Sequence, residues 1–390
     1  MAGVYSTPVR CDAMTPAARL SAYFFAYFLY VGALVPYFAL YLAARGYGAG
    51  QIAVVLAMPQ LARVVAPAFW GWLADRTGAA RSIVIFSAGA VLAGFALLHF
   101  LDGFAAVVAI MLLMSLLAAG AMPLVEALTL GSLEGRTERY GPIRLWGSVG
   151  FVAAVLGTGA WLDAHPPQSL IGVVILLAAL TLAASFVVPA GRVAAPGAPG
   201  DGRLLAVLRR PEVMAFLAAC FCMNAAHGAL YAFYSIHLEA LGYSKTAIGI
   251  LWTLGVLAEI VLFLCLPRLL RRVSLRTLLA ASCALAGLRF ALIGWGAHSV
   301  ALLVLAQLLH AATFGAYHAA AVAIVHRMFT GKLAARGQTL HSSVSYGLGG
   351  GAGTLLAGWS WETLGPELSF TLSALAGMLA TALIIWRVRV

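Results

Sequence analysis

Four ionisable side chains stand inside otherwise apolar stretches of this 390-residue sequence: Arg63, Glu126, Glu259 and Arg289. His227, His310, His318 and His341 lie in similar surroundings. A charge at mid-membrane costs at least about 2.5–3.5 kcal/mol on insertion scales, so each of these residues implies a function. Two acids and two bases can balance in charge, and the chemistry open to them is proton transfer, anion binding or paired anchoring of helices. Catalysis is not indicated, because there is no HExxH and no Walker motif, and the acids and bases lie on separate segments. The run Gly349-Gly350-Gly351 with Gly353 follows no strand, so it reads as a place of close helix approach rather than a phosphate loop. No metal, cofactor or enzymatic activity is expected, and any work the chain performs must draw on an ion gradient or on the solute itself.

Aromatic spacing is the second chemical signal. Tyr23, Tyr27, Tyr30, Tyr37 and Tyr41 recur mostly at three, four or seven residues, which puts hydroxyl-bearing rings along one helical face. Asn224, His227, Tyr231 and Tyr234 do much the same later in the chain. Two such stripes suggest the walls of a polar cavity, whereas His318 and His341 read as hydrogen-bonded packing residues.

The elements that position these residues follow from composition. Apolar residues make up 63% of the chain and charged residues 9%, with a mean hydropathy of +0.97. Soluble chains carry about 45–50% apolar and about 25% charged residues, so this is an all-α polytopic membrane protein in contact with a lipid bilayer. Apolar windows predict twelve transmembrane helices near 18–43, 51–74, 80–101, 104–131, 142–163, 168–188, 212–240, 246–266, 275–296, 299–327, 337–360 and 366–387. One long connection, 189–210, is rich in Pro, Gly and Ala and separates residues 1–188 from 211–390 as a linker between two six-helix bundles. The first twenty residues lack the order of a cleavable signal peptide, so the first span is read as retained.

A net charge of +11 would suggest nucleic acid in a soluble protein. Here the basic residues fall in every second connection: Arg76 and Arg81; Arg136, Arg139 and Arg144; Arg192, Arg203, Arg209 and Arg210; Arg268, Arg271, Arg272 and Arg276; Arg327, Lys332 and Arg336; Arg387 and Arg389. That alternation places both termini in the cytoplasm and excludes a nucleic-acid partner. The five cysteines show no disulfide or metal spacing. A shift of 196 residues brings Gly46-Tyr47 onto Gly242-Tyr243 and Leu61-Ala62-Arg63 onto Leu257-Ala258-Glu259, the mark of a six-plus-six duplication.

The segment Gly71-Trp72-Leu73-Ala74-Asp75-Arg76-Thr77-Gly78-Ala79-Ala80-Arg81 resembles the cytoplasmic loop motif of the major facilitator superfamily. The resemblance implies that superfamily's fold, with Gly71, Asp75, Arg76, Gly78 and Arg81 as a conformational motif in which Asp75 holds the outward-open state. The second-half counterpart, Leu266 to Arg272, keeps basic residues and lacks the Gly and Asp. Tyr140-Gly141-Pro142-Ile143-Arg144-Leu145-Trp146-Gly147-Ser148, the stretch from Ala226-His227-Gly228 to Ala258-Glu259, and Gln307 to Phe314 are similar to the 3-phenylpropionic acid transporter group, a branch related to lactose permease and the nucleoside/proton symporters.

That likeness covers most of the chain and implies a proton-coupled importer. Residue by residue it implies substrate contacts at Glu126 and Arg144, and a coupling set of Glu259, Arg289 and His310, to which we add Arg63. Thr313 departs from the pattern, standing where an acid would follow the histidine by three residues, so the proton carrier is assigned first to Glu259 and then to Glu126. A carboxyl on an apolar helix can keep its proton until a cation such as Arg289 approaches. Tyr27, Tyr30, Asn224, His227 and Tyr231 complete the expected binding wall. The expected protein is a monomeric proton symporter of a bacterial inner membrane, carrying a small aromatic carboxylate. Sugar or nucleoside symport, proton-driven export, and a non-transporting receptor or scaffold are the alternatives.

Overall fold

A computed structural model describes residues 14–133, 135–191 and 204–389, without the side chains of Thr137 and Lys332. Cys11, Arg192, Arg203 and the centre of the expected linker, 192–203, lie outside the described residues. Every described element is helical. The first half holds α1 (Pro16–Ala44), α2 (Ala49–Ala62 continued by Ala66–Thr77), α3 (Ala80–Phe100), α4 (Phe104–Ala118 continued by Ala121–Ser132), α5 (Tyr140–Ala164) and α6 (Leu170–Ser185). The second holds α7 (Pro211–Ala226 continued by Gly228–Ala240), α8 (Lys245–Leu270), α9 (Leu275–Gly296), α10 (Val300–Leu308, a π turn Ala311–Ala316, then Tyr317–Met328), α11 (Ala334–Ser342, a π turn Ser343–Gly349, then Gly350–Leu364) and α12 (Pro366–Arg387). A short helix, Leu204–Leu208, precedes α7.

Eleven of these runs are long and apolar enough to cross a membrane. The twelfth, α11, is not among them: its first turns carry Arg336, Gln338, Thr339, His341 and Ser342, and the rest is diluted by glycines, Ser345, Tyr346, Thr354 and Ser360. Expected boundaries agree with the helices to within a few residues, but the expected 51–74 helix is broken at 63–65. Pro67 has no N–H and its ring clashes with the carbonyl four residues back, at Arg63, which ends the first segment there. In α4, Pro123 acts in the same way on Ala119 and produces the break at Ala119–Gly120.

The two sets of six helices make parallel contacts. α1 packs on α5 and α6 as α7 packs on α11 and α12, and α3 meets α6 as α9 meets α12. Gly46 and Gly242, 196 residues apart, end α1 and α7 with φ of 84° and 86°, a left-handed turn that favours glycine. Arg81 on α3 donates to the Phe186 carbonyl at the end of α6, and Arg276 on α9 donates to the Ile385 carbonyl at the end of α12.

Between the halves, α2 packs on α11, α5 on α8, and α1 on Gly228–Ala240 of α7. The hydrogen bonds that join the halves gather toward one end. Asp163, closing α5, accepts from the backbone N–H groups of Lys245 and Thr246 at 2.7 and 3.0 Å, at the start of α8. Glu362, closing α11, accepts from Gly50 N–H at 3.3 Å, at the start of α2. Each carboxylate thus satisfies orphan donors and meets the positive dipole end of a helix in the other half. The Tyr37 hydroxyl is shared between the carbonyls of Val155, 2.9 Å away, and Lys245, 3.1 Å away. The contacts reach as far as mid-bundle, where Ser343 Oγ donates to the Val64 carbonyl at 2.8 Å. Beyond that point Ala66–Thr77 packs on α3 and α4, and Ala334–Ser342 packs on α10, each within its own half. The bundle is closed at one end and parts toward the arginine-bearing end.

Candidate functional site

At the level of the two helix breaks, ionisable groups from both halves converge. Arg63 caps the first segment of α2 and its side chain is exposed. Glu126 lies one turn past Pro123 on α4, and Arg144 lies one turn into α5. The Arg144 guanidinium sits 4.2 Å from the Phe28 ring centre and 5.5 Å from that of Phe24, a cation–π arrangement on α1. Its charge acts on Glu126 in its own half and on Glu259 in the other. Glu259 Oε2 lies 3.6 Å from His310 Nε2, with 20% of the glutamate side chain exposed.

Arg289 is not paired with Glu259. It is 1% exposed, and its donors reach the Ala306 carbonyl at 3.0 Å, Thr313 Oγ1 at 3.1 Å and Gln307 Oε1 at 3.2 Å. The threonine that departs from the expected pattern is therefore a neutral acceptor for the buried guanidinium. Three neutral acceptors, one on each guanidinium nitrogen, occupy the fork that a carboxylate would otherwise take.

The aromatic stripes divide into cavity wall and packing. Tyr27 lies edge-on to Tyr30, their centroids 6.0 Å apart, and Tyr30 packs on Phe95 at 5.8 Å. A small recess beside them is lined by Tyr23, Tyr27, Tyr30, Ser87, Ala88 and Thr181. Tyr231 stacks between His227 and Trp252, each at 6.1 Å. His227 is buried, with Nδ1 2.8 Å from the Met223 carbonyl.

Asn224 does not join this wall through its amide nitrogen. That group lies 2.5 Å from Ser345 Oγ, 3.2 Å from the Cys220 carbonyl and 3.3 Å from the Tyr317 hydroxyl, tying α7 to α10 and α11. Its contiguity in sequence with His227 reflects helix packing. The four described cysteines are free.

Two residues gain a place that spacing did not give them. His318 is exposed, holds the Tyr346 hydroxyl at 2.8 Å through Nδ1, and lies within the field of Glu259. Tyr346 belongs to the π turn of α11, whose extra residue per turn re-aims side chains in a way that a 3.6-residue repeat does not reveal. His341 is fully buried between Phe216 and Tyr346, yet neither ring nitrogen has a hydrogen-bond partner among the described residues, so it packs without the expected hydrogen bond.

The motif that ends α2 and leads into α3 is at the parted end. Gly78 closes the helix in the left-handed region, Arg76 lies against Trp72, and Arg81 is held by α6 as described. Asp75 is exposed and makes no hydrogen bond or ion pair among the described residues, so it makes no contact here with a helix end or a basic side chain of the kind that would hold the outward-open state.

Comparison with known proteins adds the following. A family model described as the MFS_1 like family matches residues 17–372. The chain is 29% identical over 368 residues to the probable 3-phenylpropionic acid transporter of Escherichia coli (strain K12), covering 90% of this chain and 93% of that protein. It is 27% identical over 379 residues to the maltose permease of Geobacillus stearothermophilus, covering 94% of each. Among solved structures, the nucleoside transporter NupG superposes with a TM-score of 0.84 at 18% identity, covering 95% of this chain and 99% of that one.

Proposed function

The chain belongs to the MFS_1 like family of multi-pass membrane transporters, and from that premise we propose that it is a proton-coupled symporter importing a small aromatic carboxylate by alternating access. Its family consists of transporters, so it is not an enzyme. The observation that carries the reading is that ionisable groups of both halves stand where the halves begin to part: Arg144 against Phe24 and Phe28 of α1 in the first, and Glu259 3.6 Å from His310 in the second. Groups divided in this way respond to any change in the relation of the halves, which is what coupling a solute to a proton requires.

In this reading Glu259 carries the proton, exchanging it with solvent by way of the parted end, with His310 beside it as a partner that can share the charge. Glu126 and Arg144 stand beside the bound solute and set the charge around it, and Tyr27, Tyr30, His227 and Tyr231 receive its ring. Arg289, caged by neutral acceptors, positions α9 against α10. The arginine-bearing end faces the cytoplasm of a bacterium, both termini lie there, and the described conformation is inward-open with the Asp75 contact released. The protein acts as a monomer in the inner membrane, without a cofactor.

The test is the proton stoichiometry of uptake. De-energised cells producing the protein should alkalinise an unbuffered medium when 3-phenylpropionate is added. Alkalinisation by maltose or a nucleoside instead would move the substrate to another class, and acidification would reverse the direction of proton movement.

A further inference from the structure

We infer that Arg63 is the residue that binds the anionic group of the substrate, and that the site accordingly takes a monocarboxylate carried beside an aromatic ring. The inference rests on the transport function proposed above and names its specificity-determining residue. Three arginines share the middle of the bundle with two glutamates, which leaves one positive charge over. Arg289 cannot supply it to a ligand, being 1% exposed and committed to Ala306, Gln307 and Thr313. Arg144 has its guanidinium laid over Phe28 and against Phe24, with both glutamates in its field.

Arg63 differs from both. Its side chain is exposed, it makes no hydrogen bond or ion pair among the described residues, and it is not among the charges acting on either glutamate. Val64, next to it, meets Ser343 and Gly347 of α11, so Arg63 stands at the seam between the halves, within electrostatic reach of Tyr27 on α1, Tyr231 on α7 and Tyr346 on α11. The Tyr27 and Tyr231 hydroxyls have no hydrogen-bond partner among the described residues. A free guanidinium with two free phenol O–H donors nearby is an anion site, since all the groups can donate and none is occupied.

The backbone beneath Arg63 is held while its tip is free. Its own N–H bonds to the Gln60 carbonyl at 3.0 Å, and the next carbonyl, freed by the break at 63–65, accepts from Ser343. A Cβ on Gly347 would lie 2.8 Å from Val64 Cγ2, so glycine there is what lets α11 seat the break. The aromatic walls, Tyr27 with Tyr30 on one side and Tyr231 with Trp252 on the other, then stand beside the anion site, as a carboxylate on a short chain from a ring would need.

The test is binding of 3-phenylpropionate and of its uncharged amide, 3-phenylpropionamide, to the purified full-length protein by titration calorimetry. Wild-type protein should prefer the acid. Arg63→Gln should weaken the acid about 10- to 100-fold and leave the amide unchanged, because a charge-assisted pair is lost and nothing else contacts the anion as strongly. Arg63→Lys should lie between them, keeping charge without the planar fork. An unchanged melting temperature and a single gel-filtration peak guard against misfolding. Undiminished acid binding by folded Arg63→Gln overturns the assignment and leaves the transport reading standing. Equal binding of acid and amide by the wild type, or binding of neither, overturns both.

Discussion

Arg289 and Thr313 show how a buried cation is kept without an acid. Replacing Arg289 with Met would strand the Gln307 and Thr313 acceptors and the Ala306 carbonyl in an apolar interior, at about 1–3 kcal/mol for each group left unsatisfied. The expected outcome is a lower melting temperature of the purified variant, with little change in proton coupling; abolished coupling with unchanged stability would restore Arg289 to the coupling set. Glu259 is expected to behave in the opposite manner. Glu259→Gln keeps shape and hydrogen bonding but removes titration, so accumulation of solute should collapse while exchange with pre-loaded solute persists. Continued pH-dependent accumulation would pass the role to Glu126. At this scale the sequence showed which residues were anomalous, because a charge in an apolar run stands out. It did not show their partners: the neutral cage around Arg289 is built from a carbonyl, a glutamine and a threonine that look like ordinary helix residues.

Among the elements, α5 and α11 end in carboxylates that cap the starts of α8 and α2 across the interface between the halves. Losing a cap costs about 0.5–2 kcal/mol, so the double variant Asp163→Ala with Glu362→Ala, at about 1–4 kcal/mol for the two, should shift the balance toward opening of this end by about 5- to 800-fold. A cysteine replacing Ala53, buried where α2 meets Gly358 of α11, should then react faster with a water-soluble thiol reagent; an unchanged rate would show that packing alone keeps the end shut. Helix existence was legible throughout, since long apolar runs admit little else. The break in α2 was legible in principle, because Pro67 fixes it four residues upstream, but hydropathy averages across it. The π turns in α10 and α11 leave no comparable mark, so Tyr346 and His318 came to the site only through the folded geometry.

For the whole molecule, the charge alternation predicts that a cysteine placed in 189–210 is shielded from an impermeant thiol reagent outside intact cells. Labelling there would invert the assigned orientation. The pairing of Arg81 with Phe186 and of Arg276 with Ile385 shows that each half carries its own internal brace, so the halves can tilt as units. The Ser343 bond to the carbonyl of Val64 lies near the middle of the bundle, between an end that is shut and an end that is parted, where the fulcrum of such a tilt would stand. A see-saw on a fixed pivot can lower only one side at a time. A pivot held there would keep the two ends from parting together, and the membrane would keep its proton gradient during the cycle. Ser343→Ala should therefore leave solute binding intact and raise the passive acidification rate of proteoliposomes, and an unaltered leak would place the pivot elsewhere.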